Sequence, residues 1–374
     1  MKFIKLALIF ILATQLSSGW LDRNFSCKSK ENIKFNENWK EFLGESEDAI
    51  ETFNDLINYE ESWFSFINSK EDLQDDFNEI LEDMIATFTD NKKVIFCLNK
   101  MKKFNREILD IQNDILLLKE KNIDNSTKIA KEMDEKYKEI SKLQNYILEI
   151  KKSILNELKK LGLEISDEEL NTLLVRIDSQ NIIQMMLVFD ISKKITSKLE
   201  KLMLAGNGDI KITKRYYGMN LILSEIALFI QNKYITSIDS KFIPKLKKMI
   251  SEISQLKKHT VKLLNQSHTD YEKNIYKNNI ESQQLTLKTA EIYIKNLNTQ
   301  KNQIKLARKQ VLRNLDLTLN SYQTMAISSN LLNLINLSKK SFSKIMKMQF
   351  PEIIPFKNPN MAKEYQKLTE ELNR

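Results

Sequence analysis

The chain has 374 residues, 58 Lys and Arg against 50 Asp and Glu for a formal net charge of +8, and only 6 Gly and 4 Pro. Average usage at this length would supply roughly 26 Gly and 19 Pro. Sandwiches, open α/β sheets and TIM barrels, which need dozens of tight turns, are therefore excluded, and Leu, Ile, Lys, Glu and Asn describe long, seldom interrupted helices.

The chain opens with Lys2 and Lys5, an apolar run from Leu6 to Ala13, and a small polar stretch ending at Ser17-Ser18-Gly19. This is the pattern of an export signal over residues 1–19, cleaved after Gly19. The apolar run is too short to span a membrane. Export to a periplasmic or extracellular space permits a disulfide. Cys27 and Cys97 are the only pair, and a bond closing that loop would contribute roughly 4 kcal/mol. Sequence alone leaves a bridge and two buried thiols equally open.

Residues 20–99 read as acidic, aromatic-rich amphipathic helices. Between 31 and 90 there are 18 Asp and Glu and 3 Lys, so the part after residue 90 carries the compensating excess of basic charge. Aromatic and aliphatic residues recur at helical spacing: Phe35, Trp39 and Phe42, then Ile50, Phe53 and Ile57, then Leu73, Phe77, Ile80, Met84 and Phe88. The expectation is that these stripes dock on the protein's own basic helical arms, with Trp39 and Trp63 as anchors.

Residues 100–162 form a first helical arm. Phe104, Ile108, Ile111, Ile115 and Leu118 follow 4-3-4-3 spacing, and the pattern resumes from Ile129 through Ile140, Leu143, Ile147, Ile150 and Ile154. That is a coiled-coil seam; a continuous helix would be roughly 90 Å long. The polar patch Asp124-Asn125-Ser126-Thr127 marks a kink or a short loop. A second arm, 244–348, carries Leu246, Met249, Ile253 and Leu256, weakens near His268, and resumes from Leu287 to Met325. Between the arms, residues 163–243 form a helical head. It starts at the capping sequence Ser166-Asp167-Glu168-Glu169 and holds two apolar stretches, Ile182 to Ile191 and Leu221 to Ile230. The expected architecture is all-α: an elongated antiparallel helical hairpin or coiled-coil bundle with a small helical head.

Two apolar segments around the Gly206-Asn207-Gly208 turn, on a helical stalk, are similar in layout to the heads of helical pore-forming toxins. The resemblance implies membrane insertion. The stretches are nevertheless about ten residues long and interrupted by Gln184, Asp190 and Glu225, short for a span of about 20. They are read first as core, with membrane activity as the second reading.

No catalytic, cofactor or metal site is expected. His259 and His268 lie nine residues apart on one predicted helix and so face opposite ways, and no phosphate-binding, zinc or nucleophile motif occurs. The densest polar group is in the head: Arg176, Asp178, Asp190, Arg215, Tyr216, Tyr217 and Glu225, a ligand site or a set of buried pairs and caps. Lysines interleaved with glutamates, as in 131–136, argue against nucleic acid. In the tail, 349–374, Phe350, Pro351, Ile354, Pro355 and Phe356 make an extended segment suited to a groove, followed by a short helix. Together these features describe an exported, non-enzymatic scaffolding or interaction protein with a protein partner or a second copy of itself.

Overall fold

The computed structural model describes residues 34–59, 69–89, 92–121, 127–160, 163–205, 209–327, 339, 341–348, 353 and 359–372. The predicted leader, Cys27, Trp63, the patch 122–126, the 206–208 turn and the docking residues Phe350, Pro351, Ile354, Pro355 and Phe356 lie outside these. Every extended element among the described residues is helical: α1 (Lys34–Ile57), α2 (Lys70–Phe88), α3 (Lys92–Lys121), α4 (Thr127–Lys160), α5 (Asp167–Leu174), α6 (Ser179–Ala205), α7 (Ile210–Ser237), α8 (Ile243–Gln266), α9 (Asp270–Ile327) and α10 (Pro359–Leu372). The all-α expectation holds. The chain divides into two compact units; among the described residues the first is 92–165 and the second is the remainder.

In the first unit α3 and α4 lie antiparallel. Asp114 meets Lys136 at 2.7 Å and the Phe104 ring lies 6.1 Å from that of Tyr146, two contacts with the same sum of residue numbers. Of the residues at heptad spacing, Phe104, Ile111, Ile115, Ile140, Leu143, Ile147, Ile150 and Ile154 are buried, whereas Ile108, Leu118 and Ile129 are half-buried. The first arm is thus not one rod. It is two antiparallel helices, the first ending at Lys121 and the second beginning at Thr127; between those bounds the sequence has no apolar residue to extend the seam except Ile123, and has Asp, Asn and Ser, which favour turns.

The second unit is organised around α7. Its residues from Tyr217 to Ser224 are buried without a break, followed by Ile226, Ala227, Leu228, Ile230 and Tyr234. A helix with no polar face must be covered on every side, and α1, α2, α6 and α9 all pack on it. At Gly218 the approach is closest: a Cβ there would lie 3.0 Å from Ile50 Cδ1 and 3.2 Å from Tyr322 Cε2. Glycine at this point lets α1 and α9 reach the α7 backbone.

Pro244 lies within a continuous helical run. From Ile210 to Gln266 the helix runs on through a π-helical turn, Ile238–Phe242, with Pro244 in the first turn of α8. Proline lacks an N–H and crowds the carbonyl four residues back. The wider turn, in which Ile243 N–H donates to Ile238 O, absorbs the conflict. This long element lies antiparallel to α9: Lys301 pairs with Asp239 at 2.5 Å, Gln283 donates to Thr260 at 3.0 Å and Lys257 to Gln284 at 3.2 Å. The reversal at 267–269 is set by a reciprocal cap, in which Thr269 Oγ1 accepts from Glu272 N–H while the Glu272 carboxylate accepts from Thr269 N–H and His268 N–H. His268 therefore sits in a turn rather than on a shared helix with His259.

The acidic segment docks on this protein, but on the apolar helices α6 and α7 rather than on a basic arm. Phe53 and Phe77 pair at 5.3 Å, Phe42 and Phe88 at 6.0 Å, and Trp39 is buried with Lys198 Nζ 4.1 Å from its ring. Charge follows the apolar contact: Glu47 meets Arg215 and Glu82 meets Lys233 at the exposed margins. Such pairs contribute about 0–1 kcal/mol each, against about 1.5–3 kcal/mol per buried large apolar side chain. Phe77→Ala is accordingly expected to cost about 3–5 kcal/mol and Glu82→Gln under about 1 kcal/mol, with little change in either when salt is raised. Urea unfolding of the full chain measures both, and equal costs would show that charge, not packing, holds the segment.

Candidate functional site

Two of the predicted head residues come together with groups from three other elements. α5 begins at a reciprocal cap, Ser166 Oγ accepting from Glu169 N–H at 3.2 Å while Glu169 accepts from Ser166 N–H at 2.8 Å. It ends at Leu174, and residues 175–178 lead into α6, whose first turn closes on the Asp178 carbonyl. Asp178 is fully buried. Arg176 donates to both of its oxygens, Nε to Oδ1 at 2.8 Å and Nη2 to Oδ2 at 2.7 Å. Tyr234 of α7 donates its hydroxyl to Oδ2 at 2.7 Å, and Arg176 Nη2 also reaches Gln300 of α9.

A second layer lies against the first. Thr369 of α10 donates to the Val175 carbonyl at 2.7 Å. Its proton is thereby used, so Tyr293 of α9 donates to Thr369 Oγ1 at 3.1 Å and accepts from Ile177 N–H. The Tyr365 ring stacks on Tyr293, centroids 3.9 Å apart, and its hydroxyl accepts from Asn296 at 2.9 Å.

The electrostatics follow from burial. Removal from water works against the Arg176 charge, but the Asp178 carboxylate outweighs it and raises the guanidinium pKa. Burial, and then the Asp178 charge, raise the Tyr234 and Tyr293 hydroxyls; burial raises that of Tyr365. The phenols stay protonated, and those of Tyr234 and Tyr293 donate. This is a clasp in which neighbouring donors and acceptors satisfy one another, joining the α5–α6 connection to α7, α9 and α10.

The other head residues lie elsewhere. Asp190 pairs with Lys194 at 2.6 Å along α6. Arg215, bound to Glu47, is 19 residues before Tyr234 on α7, roughly 28 Å along the helix. Tyr216 is half-buried beside it. Tyr217 is buried against Ser321, Thr318 and Ser341, in a network where Asn220 donates to Ser341 at 2.8 Å. Glu225 is half-buried on α7, and burial alone pushes its carboxyl up to about 7.

Sequence pattern offers no signal for Tyr234, Tyr293, Gln300 and Thr369. Their partners lie 56 to 194 positions away. Cys97 is buried and disulfide-bonded; Cys27, the only other cysteine in the sequence, lies outside the described residues. Among the described residues no group of three His, Cys, Asp or Glu is placed to hold a metal ion, and no helix is long and apolar enough to cross a membrane. No protein-family model, no curated protein and no solved structure matches the chain.

Asp178→Ala leaves the Arg176 charge buried without its carboxylate and should cost about 3–5 kcal/mol; Tyr234→Phe should cost about 1 kcal/mol. Denaturant unfolding of each variant reads both. Glu225 adds a pH dependence. Its unfolded carboxyl titrates near 4.5 and its folded one near 7, so between these values the folded chain binds more protons. Stability therefore falls as pH rises through that window, by on the order of 3 kcal/mol, and levels off above 7. Glu225→Gln should remove this component, so its melting temperature relative to wild type rises from pH 5 to pH 8. A difference that stays flat would show that Glu225 ionises freely in the folded chain.

Proposed function

We propose that the chain is an exported, non-enzymatic helical interaction protein. Its wrapped core acts as a scaffold, and the α3–α4 hairpin binds an acidic, amphipathic helical partner. The observation that carries this reading is a second apolar side on that hairpin. At 100° per residue, Leu109 and Leu116 on α3 lie within about 20° of one line, roughly a quarter-turn or more from the buried seam. Met133, Tyr137, Leu148 and Leu155 on α4 form a comparable row. Because α4 runs antiparallel to α3, equal rotations bring both rows to the same side. Leu116, Tyr137 and Leu148 are 56%, 47% and 53% exposed, too many large apolar groups on one side for an ordinary solvated face.

Charge selects the partner. The described residues of α3 and α4 carry 17 Lys and Arg against 10 Asp and Glu. Two such hairpins would repel, whereas an acidic amphipathic helix would satisfy both the row and the charge at its rim. The hairpin then serves presentation, holding the apolar row on two stiff antiparallel helices. The buried apolar stretches of α6 and α7 support a scaffold over membrane insertion, since each already has protein on its faces.

Replacing Leu116, Tyr137 and Leu148 together by Glu tests the reading. These side chains are exposed, so the melting temperature should hold within a few degrees. An acidic helical protein captured from the source by wild type should be lost by the triple variant. It should re-form a defined complex from purified components, weakened by salt. Dye release from anionic liposomes by wild type but not by the variant would instead establish the membrane-active reading, and capture indifferent to the variant would exclude this face.

A further inference from the structure

A half-open cleft of about 510 Å³ lies in the second unit, between Phe189 of α6, Gln231 of α7, the stretch from Ala307 to Asn314 of α9, and residues 344–348. Its lining is one-sided in charge. Arg313, Lys344 and Lys347 contribute three cations, no Asp or Glu lines it, and none of the three makes an ion pair among the described residues. Its floor is apolar, with Phe189 and Val311 buried and Met348 at the edge. Gln231 is 2% exposed, and its side-chain Oε1 is buried with no hydrogen-bond partner. A buried amide oxygen left unpaired is destabilising, and here it belongs to a residue that lines an opening.

We infer that this cleft binds a small organic anion: a phosphate, sulfonate or carboxylate group on an apolar body that also carries a hydrogen-bond donor. The anion answers the three like charges that line the cleft. The body covers Phe189 and Val311. The donor meets Gln231 Oε1. The volume suits a metabolite-sized molecule rather than a folded partner. The sequence holds a trace of the site: between residues 292 and 351 there are ten Lys and Arg and a single acid, Asp316. The interleaving of lysine with glutamate that marks a solvated face elsewhere in the chain stops here.

The probe for the test is 1-anilinonaphthalene-8-sulfonate, which joins a sulfonate, an apolar ring system and an N–H donor. Titrated into the full chain, it should bind saturably with a stoichiometry near one by calorimetry and fluorescence. The double variant Arg313→Gln/Lys344→Gln should raise the dissociation constant at least tenfold. Gln231→Leu, similar in shape, should raise it a few-fold. Lys247→Gln/Lys262→Gln, which removes two charges from α8, should leave it unchanged. The uncharged N-phenyl-1-naphthylamine should bind more weakly than the sulfonate. Circular dichroism confirms that each variant is folded. Unsaturable binding, or binding equally strong in the Arg313/Lys344 variant, overturns the assignment.

Discussion

The second unit depends on covering α7. A helix that is apolar on all sides cannot stand at a surface, and burying each of its large side chains is worth about 1.5–3 kcal/mol. Four helices therefore pack on it, from three separate stretches of the chain. That requirement explains why an acidic N-terminal segment, with a charge opposite to most of the molecule, is built into the core. Its aromatic stripe supplies a wall for α7, and carboxylates at its margin face outward, where Glu47 and Glu82 meet Arg215 and Lys233. Charge steers the segment and fixes its rim; packing holds it.

Apolar burial is poor at choosing one arrangement among similar ones, since a smooth helix slides easily against its neighbours. The polar clasp supplies the choice. Asp178 can accept from Arg176 and Tyr234 in only one register of α6 on α7, and Tyr293 and Thr369 tie α9 and α10 to the same four-residue connection. A buried ion pair is weak evidence of stability in itself, but losing half of it is costly. That asymmetry makes misaligned packings expensive. The Tyr217–Ser341–Asn220 network does the same further along α7.

Local periodicity was legible in the sequence; long-range pairing was not. The seam residues from Phe104 to Ile154 are those the heptad spacing picks out, because which face of a helix is apolar is a local property. Where a helix reverses is a contest between continuing and turning. At 267–269 the cap Thr269-Asp270-Tyr271-Glu272 turns the chain, and it carries a readable capping signature. At Pro244, a residue that ordinarily breaks a helix, a π turn lets the helix continue. Of the head's polar residues only Arg176 and Asp178 meet, two positions apart. Arg215 and Glu225 share their composition but not their place on α7, and nothing local to Tyr293 announces that Ile177 will be its donor.

Charge links the core to the two surfaces. The acidic segment holds 18 Asp and Glu against 3 Lys, and its docking spends that negative charge inside the second unit, on α6 and α7. The compensating basic excess lies mostly elsewhere, in the α3–α4 hairpin and between 292 and 351, where Lys and Arg outnumber Asp and Glu. These are the stretches that carry an apolar row and an apolar-floored cleft. A cation beside solvated surface gains little from a partner, because water already serves it. Beside an apolar patch that a partner would cover, its interaction strengthens as water leaves. The same internal neutralisation that completes the core thus leaves the remaining positive charge beside apolar surface, which is where the proposed acidic partner and the inferred anion would gain apolar contact as well.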